Sequence, residues 1–228
     1  MISIKDLSFS YKKNQHIIKD LSLELKDSYI HGVVGLNGSG KTTLLNTIFG
    51  VLKPSEGEIT YDGKIISKKD ISFLPTENFF YSNITGQEYL SIFKNNDFKT
   101  ETWNNLFQLP LDDTIDTYST GMKKKLALMG ILKINKSIMI LDEPFNGLDI
   151  ETSRIIRSIL LKLKDKGKTI MITSHIMETL TNMCDSIHYL EGGRIKHSKE
   201  KKDFKEFEEE IFSSIENKNK GLIDELVG

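Results

Sequence analysis

The chain has 228 residues, and 31 lysines and arginines against 32 aspartates and glutamates leave a formal net charge of −1. Hydrophobic residues at 38% exclude a disordered chain, and the balanced charge gives no bulk argument for nucleic acid or an acidic membrane surface. A single cysteine, Cys184, excludes an intrachain disulfide. With no run of ~18 apolar residues, no leader and no lipidation motif, the expectation is a cytosolic domain whose membrane role would come through a partner.

Residues 2–9 and 21–25 alternate apolar and polar, which predicts strands with one solvated face, on either side of the polar stretch Lys12-Lys13-Asn14-Gln15. Residues 30–35 predict a buried strand that ends in a glycine-rich turn, and 41–49 a helix stopped by Gly50. Asp62-Gly63 between 58–61 and 64–66 predicts a hairpin. Residues 71–74 make a further strand.

The middle is helical for roughly 60 residues, judged by where strand patterns pause. Thr85-Gly86-Gln87-Glu88 fits a capping box ahead of Tyr89, Leu90, Ile92 and Phe93. A second helix is predicted through Trp103, Leu106 and Phe107, and a third over Met122–Ile134. Strands over 138–141, 169–173 and 187–190 then alternate with helices over 151–165 and 176–183, and a last strand follows at 195–197. Alternation of this kind predicts an α/β fold with a largely parallel sheet covered on both faces. From Ser198 the chain is highly charged, yet Phe204, Phe207, Ile211, Phe212 and Ile215 keep a helical stripe.

Three motifs carry chemistry. Gly35-Leu36-Asn37-Gly38-Ser39-Gly40-Lys41-Thr42 matches the phosphate-loop pattern at every fixed position, between a predicted strand and helix. Its backbone N–H groups and helix N-terminus suit phosphate. Lys41 is expected on the β- and γ-phosphates and the Thr42 hydroxyl on Mg²⁺. Ile138-Met139-Ile140-Leu141-Asp142-Glu143 delivers two carboxylates to a strand end, where open parallel sheets bind ligands. Asp142 is expected to hold Mg²⁺, and Glu143 to take a proton from an attacking water. Tyr118-Ser119-Thr120-Gly121-Met122 opens a helix whose first turn holds Lys123, Lys124 and Lys125. Three lysines there oppose the helix dipole. Either a phosphate docks on this turn and relieves the conflict, or the lysines form a solvated basic patch.

The order of these motifs, with Asn146-Gly147-Leu148-Asp149 and Thr173-Ser174-His175 after them, resembles the nucleotide-binding subunit of an ATP-binding cassette (ABC) transporter. The likeness covers about residues 1–197 and leaves the 198–228 tail outside. It implies a P-loop NTPase fold of ABC type, with a mostly parallel core, an N-terminal antiparallel β subdomain and a helical subdomain at about 76–135. It also implies ATP and Mg²⁺ as ligands. Tyr11 would stack on adenine, unless it is an ordinary strand tyrosine. Gly35, Asn37, Gly38, Ser39, Gly40, Lys41, Thr42 and Thr43 would surround the phosphates, with Thr42 and Asp142 on the metal. Glu143, His175 and Lys41 would be catalytic, and Ser119, Gly121 and Asp149 would complete the site across a pair of chains.

The implied partners are an integral-membrane permease and a second ATP-binding subunit, identical or paralogous, with no nucleic acid. The implied place is the inner face of the plasma membrane, held there by the permease. Phe79, Phe80 and Tyr81 are either docking residues for that partner or subdomain core. Two positions depart from the family pattern. Met122 replaces the usual glutamine of the signature, as in several bacterial exporter subunits, which favours export over import. Thr76 stands where the family usually has a glutamine, and its shorter side chain leads us to expect slower or more partner-dependent hydrolysis. The competing reading is a non-transport ABC ATPase of translation, DNA maintenance or cofactor assembly. Translation-type members usually carry two cassettes, and DNA-repair types insert a long coiled coil before the signature, and neither is present. A nucleotide-binding module without turnover is the third reading.

Overall fold

A computed structural model describes residues 1–13 and 15–227, with the side chains of 214–224 and of Val227 left out. Asn14 of the expected hairpin stretch and the Ile215 side chain of the expected tail stripe therefore lie outside the described residues.

Strands β1 (Ile2–Lys12) and β2 (Gln15–Leu25) pair antiparallel, closing with Lys12 opposite Gln15. With β4 (Glu56–Tyr61) and β5 (Lys64–Ile65) they form an antiparallel sheet in the order β2-β1-β4-β5. Asp62 and Gly63 both take positive φ, 49° and 75°, as a tight hairpin between twisted strands requires.

The second sheet runs β10-β9-β3-β8-β7-β6. Its members are β3 (Ile30–Val34), β6 (Ile71–Leu74), β7 (Ile138–Asp142), β8 (Thr169–Ser174), β9 (Ser186–Glu191) and β10 (Arg194–Glu200). Only β10 is antiparallel to its neighbour. Residues of β3, β7 and β8 are buried on both faces, which is why their central residues are mostly apolar, with the polar residues of β8 confined to its ends. Alternate residues enter two cores. Ile138, Ile140 and Met171 join Leu44, Leu45 and Ile48 of helix α1 (Lys41–Ile48) and the antiparallel sheet. Met139, Leu141, Ile170 and Ile172 face the other helices.

The helical segment is the crossover between the neighbouring parallel strands β6 and β7. It contains α2 (Gly86–Ser91), α3 (Thr100–Phe107) and α4 (Thr120–Ile134). The capping box on α2 forms as predicted, with Thr85 Oγ1 accepting from the Glu88 N–H and Glu88 Oε2 from the Thr85 N–H. Leu126–Leu132 of α4 is buried all round, so this helix is core to both the crossover and the sheet.

Helix α5 (Ile150–Asp165) is amphipathic and buries Ile156, Ile159 and Leu160. Helix α6 is shorter than the predicted 176–183 and spans Met177–Thr181. The chain leaves it because Met183 and Cys184 N–H groups both bond Leu180 O, and Asp185 N–H then reaches Ile30 O. The last strand is longer than predicted and runs through Glu200, past the point where charge rises. Helix α7 (Phe204–Val227) follows, and Phe204, Phe207 and Ile211 enter the same core as α4 and α5. The first half of the charged tail thus packs on its own sheet.

Gly193, in the turn between β9 and β10, ties the two sheets together. A Cβ there would stand 2.1 Å from Ile17 O, and Lys19 N–H donates to Gly193 O at 2.9 Å. A Cβ on Gly40 would meet the Ile18 side chain at 3.1 Å and Ile17 O at 3.3 Å. The same carbonyl oxygen of β2 therefore packs against both glycines.

Candidate nucleotide site

Four adjacent parallel strands, β3, β8, β7 and β6, end at one edge of the sheet. His175, Glu143 and Thr76 leave the ends of β8, β7 and β6 and line one cleft of about 500 Å³, while Gly35 starts the phosphate loop at the end of β3 and, like Ser39 and Asp142, lies behind the cleft lining. The register sets Asp142 of β7 opposite Thr173 of β8.

Asp142 is completely buried and accepts three hydroxyls. Thr42 Oγ1 and Thr76 Oγ1 each donate to Oδ2 at 2.8 Å, and Thr173 Oγ1 donates to Oδ1. Glu143, 9% exposed, sits in the left-handed region at φ 48°, and its N–H donates to Thr173 Oγ1 at 3.0 Å. His175 Nδ1 lies 3.1 Å from both carboxylate oxygens of Glu143, a geometry that suits a proton on Nδ1. Lys41 Nζ donates to Gly35 O at 2.8 Å and Leu36 O at 3.3 Å and stands 4.0 Å from Glu143 Oε1. Burial lowers the Lys41 ammonium pKa, while Glu143 and Asp142 oppose that shift.

The residues fit a nucleotide phosphate. Ser39 Oγ is buried in the phosphate loop without a hydrogen-bond partner, an arrangement that a phosphate oxygen would satisfy. Gly38, at φ 80°, has nothing within 4 Å of its Cβ direction, so the loop rim is open there. Thr42 and Asp142 offer hard oxygen donors of the kind Mg²⁺ prefers. Among the described residues no group of three or more His, Cys, Asp or Glu side chains could hold a metal, so phosphate oxygens and waters would complete the shell of a Mg²⁺ held by Thr42 and Asp142.

Tyr11 and Thr43 line the same cleft, as do Asn37, Gly38, Gly40, Lys41 and Thr42. The Tyr11 ring is 58% exposed and meets Phe9 edge-on at 4.9 Å, with its hydroxyl 3.5 Å from Thr43 Oγ1. Ser119, Gly121 and Asp149 do not line this cleft. Ser119 caps α4 by accepting from the Met122 N–H at 3.3 Å, and Gly121 lies against Gly147. Both Asp149 carboxylate oxygens are engaged within the chain, accepting from the Thr152 N–H and hydroxyl at 2.7 and 2.8 Å. Those hydrogen bonds lower its pKa.

The lysine run needs a correction. Lys124 Nζ is turned inward and donates to Glu143 O and Asn146 O at 2.8 and 2.9 Å, and Lys125 Nζ donates to Phe107 O at 3.0 Å. These two do not face a phosphate from the helix N-terminus, and they are not a solvated patch either. The helix also starts earlier than expected, at Thr120, so Lys124 and Lys125 stand in its second turn, where the dipole is weaker, and their long side chains reach carbonyl oxygens of neighbouring loops. The aromatic trio also divides. Phe80 packs on Tyr89 at 5.0 Å, whereas Phe79 and Tyr81 are 84% and 65% exposed.

The sequence model described as ABC transporter matches residues 18–146, more than half of the chain. The chain belongs to the ABC transporter family. Among its relatives, the ABC transporter ATP-binding protein NatA of Bacillus subtilis is 31% identical over 86% of this chain and 87% of its own. The uncharacterised ABC transporter ATP-binding protein YybJ of Bacillus subtilis is 32% identical over 87% of this chain and 96% of its own. A solved structure of an ATP-binding subunit of an ABC transporter superposes with a TM-score of 0.82 at 25% identity, over 88% of this chain and 90% of that one. This ABC protein is accordingly an ATP-binding subunit and an ATPase of α/β cassette fold. No described helix is long and apolar enough to cross a membrane.

Ile17, Asn146 and Thr173 belong to the site without having been singled out for it from the sequence. Ile17 sits in an ordinary strand pattern. Thr173 opens the Thr173-Ser174-His175 motif, but only the β7–β8 register reveals that it holds both Asp142 and Glu143.

Proposed function

We propose that the chain powers a membrane permease by binding and hydrolysing Mg²⁺-ATP between two ATP-binding subunits. One observation carries the pairing. The cleft gathers the phosphate loop, Glu143 and His175 but neither Ser119 nor Gly121, so a single chain holds half of a site. Tyr11 offers its exposed ring to adenine. Lys41, Ser39 and the loop N–H groups hold the phosphates. Thr42 and Asp142 would hold Mg²⁺, which neutralises phosphate charge when bound.

Glu143 accepts a proton from the attacking water, and His175, in contact with that carboxylate, orients it and meets the γ-phosphate. The Ser119–Gly121 turn of a second copy or a paralogue closes over the phosphates. Hydrolysis removes what the two chains share, and the pair opens. The helical segment at about 76–135 passes this motion to the permease, with Phe79 and Tyr81 as exposed docking aromatics. The subunit thereby sits at the cytoplasmic face of the membrane. Export is the direction we read from Met122 in the signature turn.

The test compares steady-state ATP turnover and ATP-dependent dimerisation of the native protein and Glu143→Gln. The expected result is a variant that binds ATP and dimerises but turns over at least ~100-fold more slowly, within the range of a lost general base. Equal turnover in the two proteins refutes Glu143 as the base. Co-purification from membranes with an integral protein tests the permease assignment.

A further inference from the structure

Lys124 is a buried cation, 5% exposed, with no carboxylate oxygen among its hydrogen-bond partners. Burying a charge is costly unless it satisfies something in return. Its ammonium bonds the carbonyl oxygens of Glu143 and Asn146, the two ends of the turn in which Asn146 N–H donates to Glu143 O at 3.3 Å. Glu143 is a non-glycine residue at φ 48°, a conformation that persists only where its surroundings enforce it. Thr173 holds the N–H of Glu143 and Lys124 holds its carbonyl, so both peptide groups of the strained residue are pinned from different elements. Lys124 lies on the same helix, α4, that begins at the Ser119–Gly121 turn.

We propose that Lys124 is a positioning residue: from the helix of the signature turn it holds the backbone of Glu143 in its left-handed conformation, and so aims the carboxylate at the attacking water. The proposal rests on Glu143 being the base. An apolar side chain of similar length would take a charged donor from both carbonyl oxygens, leaving Glu143 O with only the 3.3 Å bond from Asn146 N–H, and free the turn to relax. Arginine can still donate to both oxygens.

The experiment measures kcat, KM and equilibrium ATP binding for Lys124→Met, Lys124→Arg, Glu143→Gln and the Lys124→Met/Glu143→Gln double variant. The melting temperature of each confirms folding. Lys124→Met should lower kcat by ~100-fold, the scale of a small misplacement of a reacting group, while ATP affinity stays within about 2-fold. Lys124→Arg should recover much of the rate, and the double variant should be no slower than Glu143→Gln alone. If Lys124→Met fails to fold, Lys124→Gln takes its place: its shorter, uncharged side chain holds the two oxygens less well, so its kcat should fall clearly below that of Lys124→Arg while ATP affinity stays within about 2-fold, and a native-like kcat overturns the proposal. Native-like kcat in Lys124→Met with an inactive Glu143→Gln overturns this proposal alone. An active Glu143→Gln overturns both it and the reading beneath it. A parallel loss of ATP binding, or no rescue by arginine, reduces Lys124 to a packing role and also overturns the proposal.

Discussion

Thr42 and Thr76 donate to one and the same oxygen, Oδ2 of Asp142, each at 2.8 Å. Thr76 therefore does something definite at the position where the family usually has glutamine: it ties the end of β6 to the acidic strand beside it. Thr76→Val removes one donor from a fully buried carboxylate and should destabilise the fold by about 1–3 kcal/mol, read from chemical denaturation. Thr76→Gln restores the longer reach and should raise basal ATP turnover. An unchanged rate would mean that the short side chain does not limit hydrolysis.

Tyr11 separates stacking from hydrogen bonding. Its ring is exposed beside the phosphate loop, and its hydroxyl makes only a 3.5 Å contact with Thr43. Tyr11→Ala should weaken nucleotide binding by about 1–2 kcal/mol, roughly a 5- to 30-fold change in Kd, by analogy with base stacking on aromatic side chains. Tyr11→Phe should bind like the native protein. Equal affinity for all three in a fluorescent-nucleotide titration would remove Tyr11 from the site.

His31 and His188 predict an acid-sensitive fold. They stack at 5.6 Å inside the protein, with Ser186 Oγ within hydrogen-bond distance of both rings. Burial lowers both pKa values, that of His188 to about 3 with a further push from His31. Unfolded histidines titrate near ~6.5, so below that pH the unfolded chain binds more protons than the folded one. This contribution to stability is complete above about pH 6.5 and is lost as pH falls toward about 3, with a slope of up to ~1.4 kcal/mol per pH unit for each histidine. Urea midpoints between pH 7.5 and 5 should fall accordingly, and His188→Gln should flatten the curve.

Phe207 tests whether the charged tail belongs to the domain. It is fully buried in the core of α4 and α5. Phe207→Ala should destabilise the protein by about 3–5 kcal/mol, as large-to-small core changes do. A change under about 1 kcal/mol in the denaturation curve would put α7 outside the cooperative unit.

Much of this was legible in the sequence because it depends on local pattern. The glycine spacing of 35–42, the apolar run ending at Asp142 and the capping box at Thr85 each carry their meaning in a few consecutive residues. What escaped depends on pairing between distant segments. The lysines at 124 and 125 look like a basic patch until the Glu143–Asn146 turn is placed beside the first and the Phe107 carbonyl beside the second. Charge density suggests a separate tail from Ser198, yet the strand continues to Glu200, and Phe204, Phe207 and Ile211 seat the start of the charged helix in the core. Asp149 has a second task besides the one its motif implies, capping α5 through the Thr152 N–H and hydroxyl.

The contact of Gly40 and Gly193 with Ile17 has a mechanical meaning. Ile17 and Gly40 both border the cleft, and both glycines come up against the Ile17 carbonyl oxygen. A side chain at Gly193 would collide with that oxygen and push β2 off the neighbouring sheet, so this wall of the cleft is built like the fixed jaw of a gauge. On the pairing proposed above, the moving jaw is the Ser119–Gly121 turn that a second chain brings to it.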